Sequence, residues 1–116
     1  MPATLDPAVG ESLCAALREQ AARLGVSLGD EPIWAQASLS EAADPYTQAV
    51  SVLATWRGGA RYGQATFFPD GRVFAEYQVL APHPTRPGCF IDAVQVWGAP
   101  AAWRGEAVLI ELPAED

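Results

Sequence analysis

The sequence predicts an α+β fold: one N-terminal helix packed on an antiparallel sheet of about five strands in a meander. Three observations predict it. Apolar residues recur at helical spacing near the N-terminus, and from Gln48 onward the period becomes two. The strand-like runs are joined by short Gly- and Pro-containing breaks, whereas a parallel crossover needs a dozen or more residues.

The helix comes first. Asp6 suits the N-cap and Pro7 the first helical position, where a missing N–H is harmless. Val9, Leu13, Leu17, Ala21 and Leu24 form one stripe with Cys14 alongside, while Glu11, Arg18, Glu19 and Arg23 fall mainly on the other side. Gly25 suits a left-handed residue that closes the helix. Gly10 is a flaw inside it, costing about 1 kcal/mol relative to Ala.

Residues 26–47 are punctuated by Gly29, Pro32 and Pro45, and an ordered piece is expected there because long structureless loops are uncommon. "SLSEAAD" suits a single helical turn begun by Ser38 or Ser40, and Trp34 suits an anchor of this connection on the core.

"QAVSVLATW" then alternates, with Val50, Val52, Ala54 and Trp56 on one face, until "RGGA" breaks it. "RYGQATFF", Pro69-Asp70-Gly71 and "RVFAEYQVL" read as a hairpin. In its return arm Val73, Ala75, Tyr77 and Val79 share a face, opposite Arg72, Phe74, Glu76, Gln78 and Leu80. "APHPTRPGCF" (81–90) reads as a stiff connection: its prolines bias Ala81, His83 and Arg86 to extended backbone and oppose continuous ladder pairing. "FIDAVQVWG" and "WRGEAVLIEL" follow as strands, and the end, from Glu111 through "LPAED", reads as a solvated tail. The whole of 1–116 reads as one domain, since a chain of this size buries roughly two-thirds of its unfolded surface, enough for one core. One helix followed by a curved meander resembles, in element order, cystatin-like and nuclear-transport-factor-like domains; element order implies no activity.

Composition narrows the function classes. Half of the residues are hydrophobic and 18% charged, which suits a globular domain rather than disorder. The net charge is −7, and the seven basic residues, all Arg, are scattered. A nucleic-acid or anionic-membrane surface needs a basic stripe, so neither partner is expected. Acidity serves solubility, and it suits a basic protein partner or a cationic ligand. No segment has a secretory-signal pattern or membrane-spanning length. Two cysteines in a chain without a leader point to reduced thiols and a cytoplasmic location, the alternative being a Cys14–Cys89 bridge.

Catalytic and metal motifs are sparse. One His and two remote Cys cannot make an ordinary zinc set, and no CxxC, HExxH or EF-hand loop occurs. No P-loop, dinucleotide fingerprint or nucleophile elbow occurs either, so no cofactor is expected. Cys89 with His83 as base and Asp92 or Glu76 as orienter is the one Cys–His combination on offer; against it, a Cys opening a strand beside Phe90 is ordinarily a small buried hydrophobe. "ATWRGGA" and "AAWRGEA" echo each other, which admits two readings: Arg57 and Arg104 gripping one anion, or each shielding a tryptophan ring. Asp92, aligned by simple alternation with Phe90, Val94 and Val96, is the carboxylate most worth attention.

The leading expectation is a non-enzymatic binding or adaptor domain. It would act through its sheet or the 81–90 loop, with His83, Arg86, Asp92, Trp97 and Trp103 as candidate contacts. Both sheet faces carry large apolar groups, since the neighbours Phe67 and Phe68 point opposite ways and so do Val73 and Phe74, and one helix covers one face. A protein partner or a second copy, as in a homodimer, would cover the rest. The alternative is a ligand-binding or catalytic pocket between helix and sheet near Asp92, lined by Trp34, Tyr62, Tyr77 and Trp97.

Overall fold

A computed structural model describes residues 5–57 and 60–113. It consists of a helix, a short 3-10 turn and six strands: α1 (Pro7–Arg23), the turn Trp34–Gln36, β1 (Ser38–Ala43), β2 (Val50–Trp56), β3 (Gly63–Phe67), β4 (Val73–Pro82), β5 (Cys89–Gly98) and β6 (Arg104–Glu111). The sheet is an antiparallel meander in the order β1-β2-β3-β4-β5-β6. The α+β class is therefore as the sequence predicts, with one strand more than expected.

That extra strand is β1, built from the residues that suit a helical turn. Ser38–Ala43 instead pairs with β2 in unbroken register, Ser38 opposite Thr55 to Ala43 opposite Val50. Glu-Ala-Ala favours a helix only weakly, and the open edge of β2 offers a full ladder of hydrogen bonds that outweighs it.

The ends of α1 follow the sequence signals. The Asp6 carboxylate accepts the Ala8 N–H at 2.9 Å. At the other end Gly25, at φ +85°, lets its N–H reach Ala22 O while the Val26 N–H reaches Ala21 O, a Schellman closure. The buried side of α1 is Gly10, Leu13, Cys14, Leu17 and Ala21. It lies against β4, β5 and β6, where Tyr77, Val79, Ile91, Val94 and Val96 form the facing core. Each fully buried Leu or Val contributes about 1.5–3 kcal/mol of transfer free energy.

Over β2 and β3 the cover is aromatic. Trp34 meets Trp56 edge-on at 6.2 Å and Phe67 at 5.6 Å, and Trp56 meets Tyr77 at 6.0 Å. The Trp56 indole N–H donates to Ile33 O at 3.0 Å, tying the 26–37 connection to the sheet. Ala54, Ala65 and Ala75 sit side by side in register beneath these rings, and their small size leaves the rings room. Trp34 thus anchors the connection as expected. Val50 departs from its expected companions Val52, Ala54 and Trp56: it is exposed, since it lies beyond the reach of both α1 and Trp34.

Two irregularities occur at one level of the sheet. On β4, Val79 and Leu80 oppose the single residue Asp92, and Leu80 takes φ +54°. On its other side β5 has Asp92 as an extra residue relative to β6, since Ile91 pairs with Leu109 and Ala93 with Val108. Arg61 steadies this bend by donating to Val79 O at 3.3 Å and to Glu31 Oε2 at 3.2 Å. Alternation by twos fails across such a slip. Val94, Val96 and Ile91 are core, and Phe90, opposite Pro82 and Ile110, is only half-buried. Asp92 therefore does not share one continuous face with Phe90, Val94 and Val96.

The Pro-rich connection is shorter than 81–90. Pairing resumes beyond the bulge with Ala81 opposite Ile91 and Pro82 opposite Phe90, leaving residues 83–88 as the turn. Prolines oppose pairing only by the donors they lack, and His83 supplies the closing one, donating to Cys89 O at 2.8 Å. The glycines of "RGGA", Gly58 and Gly59, and the last three residues of the expected tail lie outside the described residues. Glu111 and Leu112 are exposed to solvent as expected, yet both are held: Glu111 ends β6, and the Leu112 N–H donates to Gly88 O at 2.7 Å.

Candidate functional site

The strand register brings together residues far apart in sequence on the face turned away from α1. Ser40, Leu53, Thr66, Phe74, Trp97 and Arg104 stand opposite one another in a row that crosses all six strands. The next row is Ser38, Thr55, Gln64, Glu76, Gln95 and Glu106. The first row is apolar at its centre; the second is polar throughout. Gln95 donates to Glu76 Oε2 at 2.8 Å, which holds both side chains flat along the second row.

Phe74 is 41% exposed and Phe68 37%, whereas Phe67, one residue away on the other face, is 5% exposed. Phe68, Arg72, Val73, Phe74, Trp97 and Gly98 line an open cleft of about 360 Å³ at the β3–β4 end of this face. The Arg72 guanidinium lies 5.4 Å from the Phe68 ring centroid and bonds Asp70 Oδ2 at 2.7 Å. The N–H and guanidinium of Arg72 both donate to Asp70, which holds that carboxyl below its ordinary value. The Arg104 side chain makes no hydrogen bond or ion pair among the described residues, and its backbone stands opposite Trp97 at the β6 end of the first row.

The sequence-derived candidates do not converge. Trp97 belongs to this outer row. Trp103 faces the other way: its indole N–H donates to Ser12 Oγ on α1 at 2.8 Å, and its ring packs on the core. His83 and Arg86 lie in the 83–88 turn, where the Thr85 N–H bonds His83 Nδ1 at 3.2 Å and Arg86 approaches Glu111 at 3.6 Å. Asp92 sits half-buried at the bulge, and its carboxylate makes no hydrogen bond or ion pair among the described residues. It is five residues from Trp97 on β5, about 17 Å along the strand.

Core side chains fill most of the space between helix and sheet; a small cleft of about 40 Å³ remains there among Ala16, Gln20, Val96, Trp103 and Gly105, and Asp92 is not part of its lining. Trp34 and Tyr77 are in the core assembly, Tyr62 is exposed at the start of β3, and Trp97 is on the outer face. Arg57 and Arg104 sit at strands separated by four ladder steps, about 19 Å, so they cannot grip one anion. Arg57 lies over the Tyr62 ring at 5.7 Å rather than over a tryptophan.

Cys14 and Cys89 are both buried and both free. Burial pushes the Cys14 thiol up to about 11, which keeps it protonated and unreactive near neutrality. Among the described residues no cluster of three or more metal-ligating side chains occurs and no helix is long and apolar enough to cross a membrane.

Leu53 and Thr66 are the residues of the outer row that sequence reasoning did not single out, and it reads Phe74 only as an apolar group facing away from Val73. Alternation signals that Phe74 opposes Val73, but its placement beside Trp97 depends on the β4–β5 register, which no local signal fixes. No protein-family model matches this chain, and no curated protein or solved structure matches it at a significant level.

Proposed function

We propose that this protein is a non-enzymatic binding domain that presents the outer face of its sheet to a protein partner. The observation that carries this reading is the row Leu53–Thr66–Phe74–Trp97–Arg104, with an exposed phenylalanine at its centre and no element of the described residues laid over it. Aromatic and Arg side chains dominate the energetics of protein interfaces, and a polar row along one border suits a rim. The 83–88 turn is a secondary contact in this reading, because its closed hydrogen bonds display His83 and Arg86 on a stiff frame. A cytoplasmic setting belongs to the same proposal and rests on the two free thiols.

The test is a pair of outer-face substitutions, Phe68→Ser and Phe74→Ser, in the full chain purified from its native host at native abundance. The double variant should keep its far-ultraviolet dichroism and lose a partner that co-purifies stoichiometrically with the unaltered protein. Retention of the same partner by the double variant would overturn the reading.

A further inference from the structure

The segment 30–36, between α1 and β1, is fastened to the rest of the molecule by side chains. Its own backbone hydrogen bonds are local, Glu31 N–H to Leu28 O at 3.3 Å and Gln36 N–H to Ile33 O at 3.0 Å. Among the described residues, no backbone–backbone hydrogen bond joins 30–36 to α1 or to a strand, and the ladder to β2 begins only at Ser38. The ties come from three other places. Arg18 of α1 donates to Pro32 O at 2.9 Å, Trp56 of β2 to Ile33 O at 3.0 Å, and Arg61, just before β3, to Glu31 Oε2 at 3.2 Å. The Trp34 ring, set between Gly10, Trp56 and Phe67, completes the attachment.

Two further features mark the segment as separable. Gly29 precedes it at φ +68° with open space where a Cβ would stand, so the backbone can turn there without collision. An open crevice of about 310 Å³ runs between the segment and α1, with Cys14 and Trp34 in its wall. Cys14 is nevertheless only 2% exposed, and Trp56 and Tyr77 are buried beside it in the same core.

We propose that residues 30–36 form a cover that swings open as one unit, about Gly29 and Ala37, while α1 and the sheet stay folded. Opening uncovers the Trp56 and Tyr77 rings and the Cys14 thiol. It breaks the ties to Pro32, Ile33 and Glu31 and unseats Trp34, but it keeps the six-strand ladder, so it costs less than unfolding. The cover lies on the helix side of the sheet, and the inference is therefore independent of what the outer face binds.

Alkylation of Cys14 by iodoacetamide, resolved from Cys89 by peptide mass, reads the opening. Burial holds the thiol protonated while the cover is closed, and an opened cover returns it to ordinary thiol reactivity. In the unaltered chain without denaturant, Cys14 should react about tenfold or more faster than the equilibrium fraction of unfolded protein allows. Its rate should depend only weakly on urea until global unfolding takes over. The Glu31–Arg61 pair is partly buried, and Glu31→Ala should raise the low-urea rate about threefold to fivefold. The charges that act on the Cys14 thiol are those of Arg18 and Glu11, so this substitution leaves its intrinsic reactivity alone. Leu109→Ala, on β6 at the far edge of the sheet from β1, should lower the urea midpoint and leave the low-urea rate unchanged. A Cys14 rate that follows global stability through the urea series, which requires no variant, would overturn the proposal. So would a rate that Leu109→Ala raises in proportion to the stability lost, or one indifferent to Glu31→Ala.

Discussion

Gly10 on α1 and the Trp34 indole touch without a side chain between them: a Cβ at position 10 would overlap the Cδ2, Cε2 and Cε3 atoms of the ring. The residue that weakens the helix locally is the one that lets Trp34 seat against it. Gly10→Ala should therefore destabilise the protein by about 1–2 kcal/mol, overpacking outweighing the gain in helix propensity. In a Trp34→Ala background the same change should stabilise it by up to about 1 kcal/mol. A denaturant double-mutant cycle measures both, and a stabilising Gly10→Ala in the unaltered chain would refute the seating argument.

The Trp103 indole N–H and Ser12 Oγ, 2.8 Å apart, connect the start of β6 to the first turns of α1. Trp103→Phe preserves most of the ring and removes the donor, and a loss of about 1 kcal/mol is expected. Ser12→Ala should cost a similar amount, and the double variant less than the sum of the two. Urea unfolding of the three variants tests the coupling.

Stability should fall at alkaline pH. The Cys14 thiol titrates near its ordinary value of 9.0 when unfolded and near about 11 when folded, mainly because burial disfavours the thiolate. Between those values the folded state holds the proton more tightly, so the contribution is complete below pH 9 and is lost as pH rises toward 11. The loss is on the order of 2–3 kcal/mol. Burial raises the Tyr77 hydroxyl as well, which adds a loss of the same sign above its ordinary value of 10.0. Cys14→Ala should flatten the profile between pH 9 and 10, as measured by thermal midpoints across that range.

The outer row should separate binding from folding. Phe74 is 41% exposed and pairs across strands with Trp97, so Phe74→Ser should cost only about 1 kcal/mol. Phe67→Ser, on the buried face against Trp34, should cost about 3 kcal/mol or more. Calorimetry of the two variants tests the contrast, and equal losses would mean that the outer row is structural.

Much of this architecture was legible because it depends on local signals. The cap at Asp6, the closure at Gly25 and the alternation of Val73, Ala75, Tyr77 and Val79 lie within a few residues of each other, and each is realised. What stayed hidden depends on pairing. β1 is a strand because β2 leaves an edge open, while its own composition favours a turn of helix. Asp92 lost its assigned companions because two coupled bulges shift the register at its level, and nothing in "FIDAVQVWG" announces a slip. Trp103 resembled a surface contact, yet its donor is satisfied by a serine from the opposite end of the chain. Phe74, Trp97 and Arg104 meet only once the hairpins are in register.

Photo-crosslinking inside the native host tests the central proposal most directly. A photoreactive phenylalanine analogue is placed singly at position 74, at position 86 in the Pro-rich turn, or at position 106 on the polar row. A discrete protein adduct should form strongly from position 74, weakly from 86 and least from 106. Adducts of equal yield at all three positions, or from 86 alone, would contradict the assignment of the outer sheet face as the binding surface.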